Sequence, residues 1–252
     1  MRLSAWLAGA ALALLVPSVP AMSAEFRLLQ LGGDFVKWGE PELGTGATVT
    51  YAFAAGTRHF DNARNCTTIE PLDVLARRTG IPQPALEREF GRAVAAWEQV
   101  ADIRFRRAGT AAAADIVVGV QSRPRGRAFA NVLPMDRYPV GRARPGEKTR
   151  LTVFTAHFGP AAREGRRDVA PIEQSLICLN PTLEWKIGFD GNSAVYDLRY
   201  TFMHEIGHAL GLDHPSSSGE LMSFRYDETF RAPQEGDIAG AELLYGPRRN
   251  HH

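Results

Sequence analysis

Three histidines within eleven residues constrain this 252-residue chain more than any other feature. They stand in the run His204-Glu205-Ile206-Gly207-His208-Ala209-Leu210-Gly211-Leu212-Asp213-His214. Tyr196–Leu210 reads as a helix, and on it His204 and His208 lie one turn apart and project from the same face. Two imidazoles so placed can hold one Zn²⁺ at about 2.0–2.1 Å. Glu205 lies about 100° further round the helix, too far to share their direction. It can instead reach a water beside the metal and act as general base. Gly211 can take a positive φ, end the helix and turn the chain sharply, so that His214 returns as a third ligand. A fourth position left open is what separates a catalytic zinc from a structural one. The His-Glu-x-x-His core alone arises by chance; the added glycine and third histidine make the pattern specific. His59, His157, His251 and His252 have no partners at ligand spacing.

The first two dozen residues follow a different grammar. Arg2 supplies a positive start, Trp6–Val16 is apolar, and Pro17, Pro20, Ala21, Ser23 and Ala24 follow. This is the pattern of a secretory signal peptide over 1–24, cleaved within 21–24. The run falls short of the roughly 20 apolar residues that span a bilayer, and no later segment is apolar enough to span one, so no membrane anchor is expected after cleavage. Secretion to an extracellular or periplasmic space is therefore expected. Residues 25–247 are read as one domain with a short tail at 248–252. An apolar share of 44% and a charged share of 23% exclude a mainly disordered or collagen-like chain. With 29 Lys+Arg against 28 Asp+Glu, nothing points to nucleic acid as a partner.

Local patterns give an α+β chain. Ala47–Phe53, Ile103–Arg107, Asp115–Gln121, Gly126–Leu133, Leu151–Phe158 and Leu176–Asn180 read as strands, the last short and buried. Ile69–Thr79 reads as a short helix stopped by Gly80. Pro84–Val100 is an amphipathic helix with Leu86, Phe90, Val94 and Trp97 on one face. Arg, Pro and Gly make 135–150 an exposed loop, 161–168 is a charged connector, and Asp237–Leu244 is a closing helix.

Met222 falls eight residues after His214, and with it the array resembles the metzincin zinc endopeptidases. Within them it is most similar to the matrixins, the matrix-metalloproteinase family and its bacterial relatives. Lys37-Trp38 with the strand to Phe53, IRF at 103–105, ADIVVGV at 114–120, GRAFAN at 126–131 and Gly236–Gly240 through Gly246 are similar in order and spacing. The resemblance implies a metzincin-type α+β domain, a twisted mixed sheet above long helices, with zinc in a cleft below an edge strand. It implies a zinc metalloendopeptidase whose extended substrate pairs with Arg127–Val132. Met222 would be the Met-turn residue beneath the ligands, and Tyr226 would lie near the pocket for the first residue after the scissile bond. A monomer acting on protein or peptide substrates is expected.

The departures are equally informative. Matrixins bind a second, structural zinc through histidines, and the matching positions hold Arg127 and Cys178. A guanidinium cannot ligate zinc, so one zinc per chain is expected. The calcium loop is thinned to Asn180, Glu184 and Asp190, which leaves calcium without support. Pro215 after the third histidine is serralysin-like, but Phe224 stands where serralysins place a tyrosine; astacins have glutamate where this chain has Pro215. A binding protein that keeps the fold without activity should have lost Glu205 or a ligand, and none is lost. A zinc-dependent deacetylase would fit the metal but not the Met-turn or the edge strand. Cys66 follows the Lys37–Phe53 segment, too late for a latency cysteine, so in an oxidising compartment Cys66 and Cys178 are expected to pair.

Overall fold

A computed structural model of the chain describes residues 25–135, 154–155 and 168–249. The expected signal peptide, the 135–150 loop beyond Met135, most of the 151–158 strand and the 161–168 connector before Asp168 lie outside the described residues.

The chain opens with β1 (Glu25–Leu28), β2 (Gln30–Leu31), β3 (Asp34–Lys37) and β4 (Ala47–Phe53), then a short hairpin of β5 (Arg58–His59) and β6 (Thr68–Glu70). Helices α1 (Asp73–Thr79) and α2 (Gln83–Glu98) precede β7 (Ile103–Arg107), β8 (Ile116–Gln121) and β9 (Ala128–Pro134). The rest comprises β10 (Phe154–Thr155), β11 (Val169–Leu179), β12 (Trp185–Lys186), β13 (Tyr196–Asp197), α3 (Leu198–Ala209), β14 (Leu212–Asp213) and α4 (Glu235–Tyr245).

The main sheet is mixed. β7, β4, β8 and β11 run parallel in that spatial order. β9 pairs antiparallel with β11, Ala130 opposite Ile177, and has no other strand partner among the described residues. Ile116–Gln121 is buried throughout, as a parallel strand covered on both faces must be. Alternate residues part to opposite sides. Ile116, Val118, Ile177 and Leu179 join a core with α2, α3 and α4, whereas Val117, Leu176 and Cys178 join a second cluster with Ala52 and Ile69. Cys178 is disulfide-bonded to Cys66 in that second cluster. Phe90 of α2 meets Phe202 of α3 edge to face at 5.2 Å, and Trp97 Nε1 donates to the Met203 carbonyl at 2.9 Å.

Several boundaries differ from the sequence reading. The strand expected at 176–180 is the second half of an eleven-residue strand. Only Ser175–Leu179 lies between β8 and β9, and within it Leu176–Leu179 reads as continuously apolar; Val169–Pro171 pairs with β3 and carries a weaker pattern. Ile69 and Glu70 are strand rather than the start of a helix, because they pair with Gln121 and Val120 and Pro71 then interrupts the chain before α1. The histidine-bearing helix starts at Leu198, not Tyr196: Asp197 caps it, accepting from the Tyr200 N–H at 2.8 Å, and Tyr196–Asp197 pairs with Trp185–Lys186. The amphipathic helix is Gln83–Glu98, and the closing helix begins earlier, at Glu235, behind a capping box of Gln234 and Asp237. The first three strands carry no pattern long enough to be legible.

Candidate metal centre

Helix α3 contributes His204 and His208, and the turn after it returns His214. Four contacts fix the helix end, whose last carbonyls would otherwise lack donors. Trp38 Nε1 donates to the Ala209 carbonyl at 2.7 Å, and Tyr245 Oη donates to that of Leu210 at 2.6 Å. Gly211 N–H bonds the His208 carbonyl at 3.0 Å, and Leu29 N–H bonds that of Gly211 at 2.7 Å. Gly211 has φ 103°, and a Cβ there would overlap the Val36 carbonyl. No other residue fits both demands. β1 then pairs with β14, Arg27 opposite Asp213, with an ion pair of 3.0 Å between them. The third histidine is thus aimed by the N-terminal strand.

Ligand positions of the three rings lie within 4.8 Å of one another. His204 Nδ1 donates to the Leu221 carbonyl at 2.8 Å, and His208 Nδ1 donates to the Leu212 carbonyl at 2.9 Å. A carbonyl only accepts, so both protons sit on Nδ1 and both Nε2 atoms carry lone pairs. Each Nε2 lies 3.1 Å from His214 Nε2. Three imidazole nitrogens crowded in this way need a cation or a proton between them, and a borderline-soft divalent ion such as zinc fits the donor set. Burial holds His204 well below the usual histidine range, and burial followed by the charge of His208 takes His214 down to about 4. Both are neutral at pH 7, as ligands must be.

Glu205 is 4% exposed, and the Ala130 N–H of the edge strand lies close enough to its carboxylate to favour the charged form. Burial pushes its pKa up, opposed by His208, Arg127 and the Ala130 N–H. Met222 is buried against Gly207 of α3. Asp237, 2% exposed, accepts from the N–H groups of Leu221 at 2.7 Å and Met222 at 3.0 Å, so α4 holds the turn beneath the ligands. Tyr226 packs edge-on against Tyr200 at 4.6 Å; its hydroxyl accepts from the Asp197 N–H at 2.9 Å and donates to Glu228 at 3.0 Å. Phe224 is 81% exposed, its ring 5.3 Å from that of His214.

His204, His208 and His214 thus come together, with Glu205 on the same helix, Met222 against Gly207 and Tyr226 one ring removed through Tyr200, while Cys66 and Cys178 lie in the cluster on the other face of the sheet. Arg127 lies over the rings of Tyr196 and Tyr226. Asn180 Oδ1 accepts from Thr182, and Asp190 pairs with Lys186. Sequence reasoning did not single out Gly207, Asp237, Trp38 or Arg27 for these roles. Gly207 lies inside the histidine motif, and its lack of a side chain was the one available signal.

Residues 156–246 match the family model described as Matrixin. Over 95 residues the chain is 48% identical to matrix metalloproteinase-9 of Canis lupus familiaris, covering 36% of this chain and 13% of that protein. Over 62 residues it is 40% identical to matrix metalloproteinase-18 of Xenopus laevis, covering 23% of this chain and 13% of that protein. The alignments thus span about an eighth of the length of these curated relatives.

Proposed function

We propose that this chain, which carries a matrixin-like metzincin catalytic domain, is a secreted zinc-dependent endopeptidase. One observation carries the reading: two histidines with protons fixed on Nδ1 and a third from the following turn converge, with a buried carboxylate on the same helix close to the strand edge at Ala130. Zinc bound there supplies Lewis acidity, polarising a carbonyl and making water a better nucleophile at neutral pH. His204, His208 and His214 would hold it through their unprotonated nitrogens.

The remaining work belongs to the protein. A peptide extends the sheet by adding antiparallel to β9 through the outward backbone groups of Ala128, Ala130 and Val132. Glu205 lies beside Ala130, takes the proton of the attacking water and delivers it to the leaving amine nitrogen. Its burial raises its basicity, while His208, Arg127 and the Ala130 N–H restrain the shift. Met222 supports the ligand-bearing helix from below, and Tyr226, held at its hydroxyl from both sides, forms a firm wall for the leaving-side chain. Residues 25–247 act as one domain after removal of 1–24. The apolar Trp6–Val16 run and the Cys66–Cys178 pair both fit an oxidising compartment outside the cytosol.

Casein digestion by the purified mature chain tests this. Hydrolysis should stop with a zinc chelator and return with zinc. Hydrolysis that persists in chelator would overturn the reading.

A further inference from the structure

Arg127 stands just before the edge strand, and the closeness of Glu205 to the Ala130 N–H marks where along that strand the chemistry falls. The Arg127 carbonyl accepts from Asn180 N–H at 2.9 Å, so the backbone groups of Arg127, Phe129 and Asn131 are spent on the neighbouring strand. Those of Ala128, Ala130 and Val132 face outward. A peptide that adds antiparallel with its scissile bond beside Ala130 therefore runs its leaving side toward Arg127.

The guanidinium carbon lies 5.4 Å from the ring centre of Tyr196 and 5.3 Å from that of Tyr226. The second ring leads back to the metal centre: Tyr226 packs on Tyr200, whose ring stacks on that of His204 at 6.5 Å. Arg127 Nε is buried without a hydrogen-bond partner among the described residues. The carboxylates around these rings are occupied elsewhere: Glu228 by Lys186 and Tyr226, Asp190 by Lys186, Asp197 by the start of α3. Ring faces offset part of the cost of a half-buried cation, and a carboxylate offsets more, because the guanidinium fork matches its two oxygens.

We propose that Arg127 is a specificity residue that binds an Asp or Glu side chain among the first three residues after the scissile bond. The assignment rests on the peptidase reading for its substrate, but the two fail separately in the experiment below.

Mature wild-type and Arg127→Gln chains would digest the same casein, and the cut bonds would be mapped. Bonds followed within three residues by Asp or Glu should be over-represented for the wild type and not for Arg127→Gln. Two synthetic casein-derived peptides, differing only in Glu or Gln at that position, would then be titrated into zinc-loaded Glu205→Gln protein. The Glu peptide should bind on the order of tenfold tighter. That preference should vanish when Arg127→Gln is added and return in part with Arg127→Lys. Equal binding of the two peptides, or an equal loss for both on adding Arg127→Gln, overturns the assignment and leaves Arg127 a strut between two rings. If casein is not cut at all the peptidase reading falls, and the binding comparison alone decides the role of Arg127.

Discussion

A methyl group on Gly207 would overlap Met222 Sδ and stand 3.0 Å from the Trp97 ring. The turn that carries Met222 is thus seated on the one position between His204 and His208 that offers no side chain. Gly207→Ala should destabilise the protein by about 1–3 kcal/mol through overpacking and weaken zinc binding, because the helix must shift on its support. Urea unfolding and a zinc competition assay would check both. Unchanged values would mean that the methionine moves aside freely.

Asp237 joins the closing helix to the same turn. Removing its carboxylate leaves the buried N–H groups of Leu221 and Met222 without acceptors. Asp237→Ala should cost about 2–3 kcal/mol. The Leu221 carbonyl also orients His204, so zinc affinity should fall by roughly tenfold. Denaturation of the chelated protein separates the first effect from the second.

The neighbouring Glu220 makes stability depend on pH. Burial and the charge of Asp237 push Glu220 up to about 7, and burial pushes Asp237 up to about 6. Unfolded carboxylates titrate near ~4, so between these values the folded chain holds more protons than the unfolded one. The contribution of this pair is therefore full at low pH and is lost as pH rises through about 6 and about 7. Glu220→Gln should gain stability relative to wild type on going from pH 5 to pH 8, with the histidine titrations cancelling in the comparison. A pH-independent difference in urea midpoints would contradict the assignment.

Glu205→Ala retains all three histidines and should keep one zinc per chain while losing roughly 10²–10⁴-fold in turnover. Metal analysis beside casein hydrolysis checks both halves. Near-wild-type turnover at unchanged zinc content would remove Glu205 from the role of base.

The Cys66–Cys178 bond joins residues 112 apart. In the chain-entropy account a loop of this size contributes roughly 4–5 kcal/mol, so the double alanine variant should unfold at much lower urea. Thiol titration of the denatured, unreduced chain should find no free thiol, and activity should need no proteolysis beyond Cys66. Two free thiols per chain would overturn the pairing.

The sequence by itself determined what short-range spacing can encode. His204 and His208 share a face because they are one helical turn apart, Glu205 leaves that face because it is one residue on, and Gly211 turns the chain because only glycine tolerates its φ. The alternating run of β4 and the buried run of β8 were legible for the same reason, each carrying its pattern within a few residues. Tertiary structure decided whatever depends on partners distant in the chain. β1 is too short to announce itself, yet its pairing with Leu212–Asp213 aims His214. The first residues of β11, interrupted by Pro171, carry no strand pattern of their own and pair with β3. Asp237, Trp38 and Tyr245 look like ordinary helix and core residues until the fold brings their polar atoms to unpaired backbone groups near the histidines. Arg127 reads only as a cation standing where the resemblance would place a histidine, until two rings from another part of the chain close over it. Burial gives these residues their roles, and burial belongs to the assembled chain.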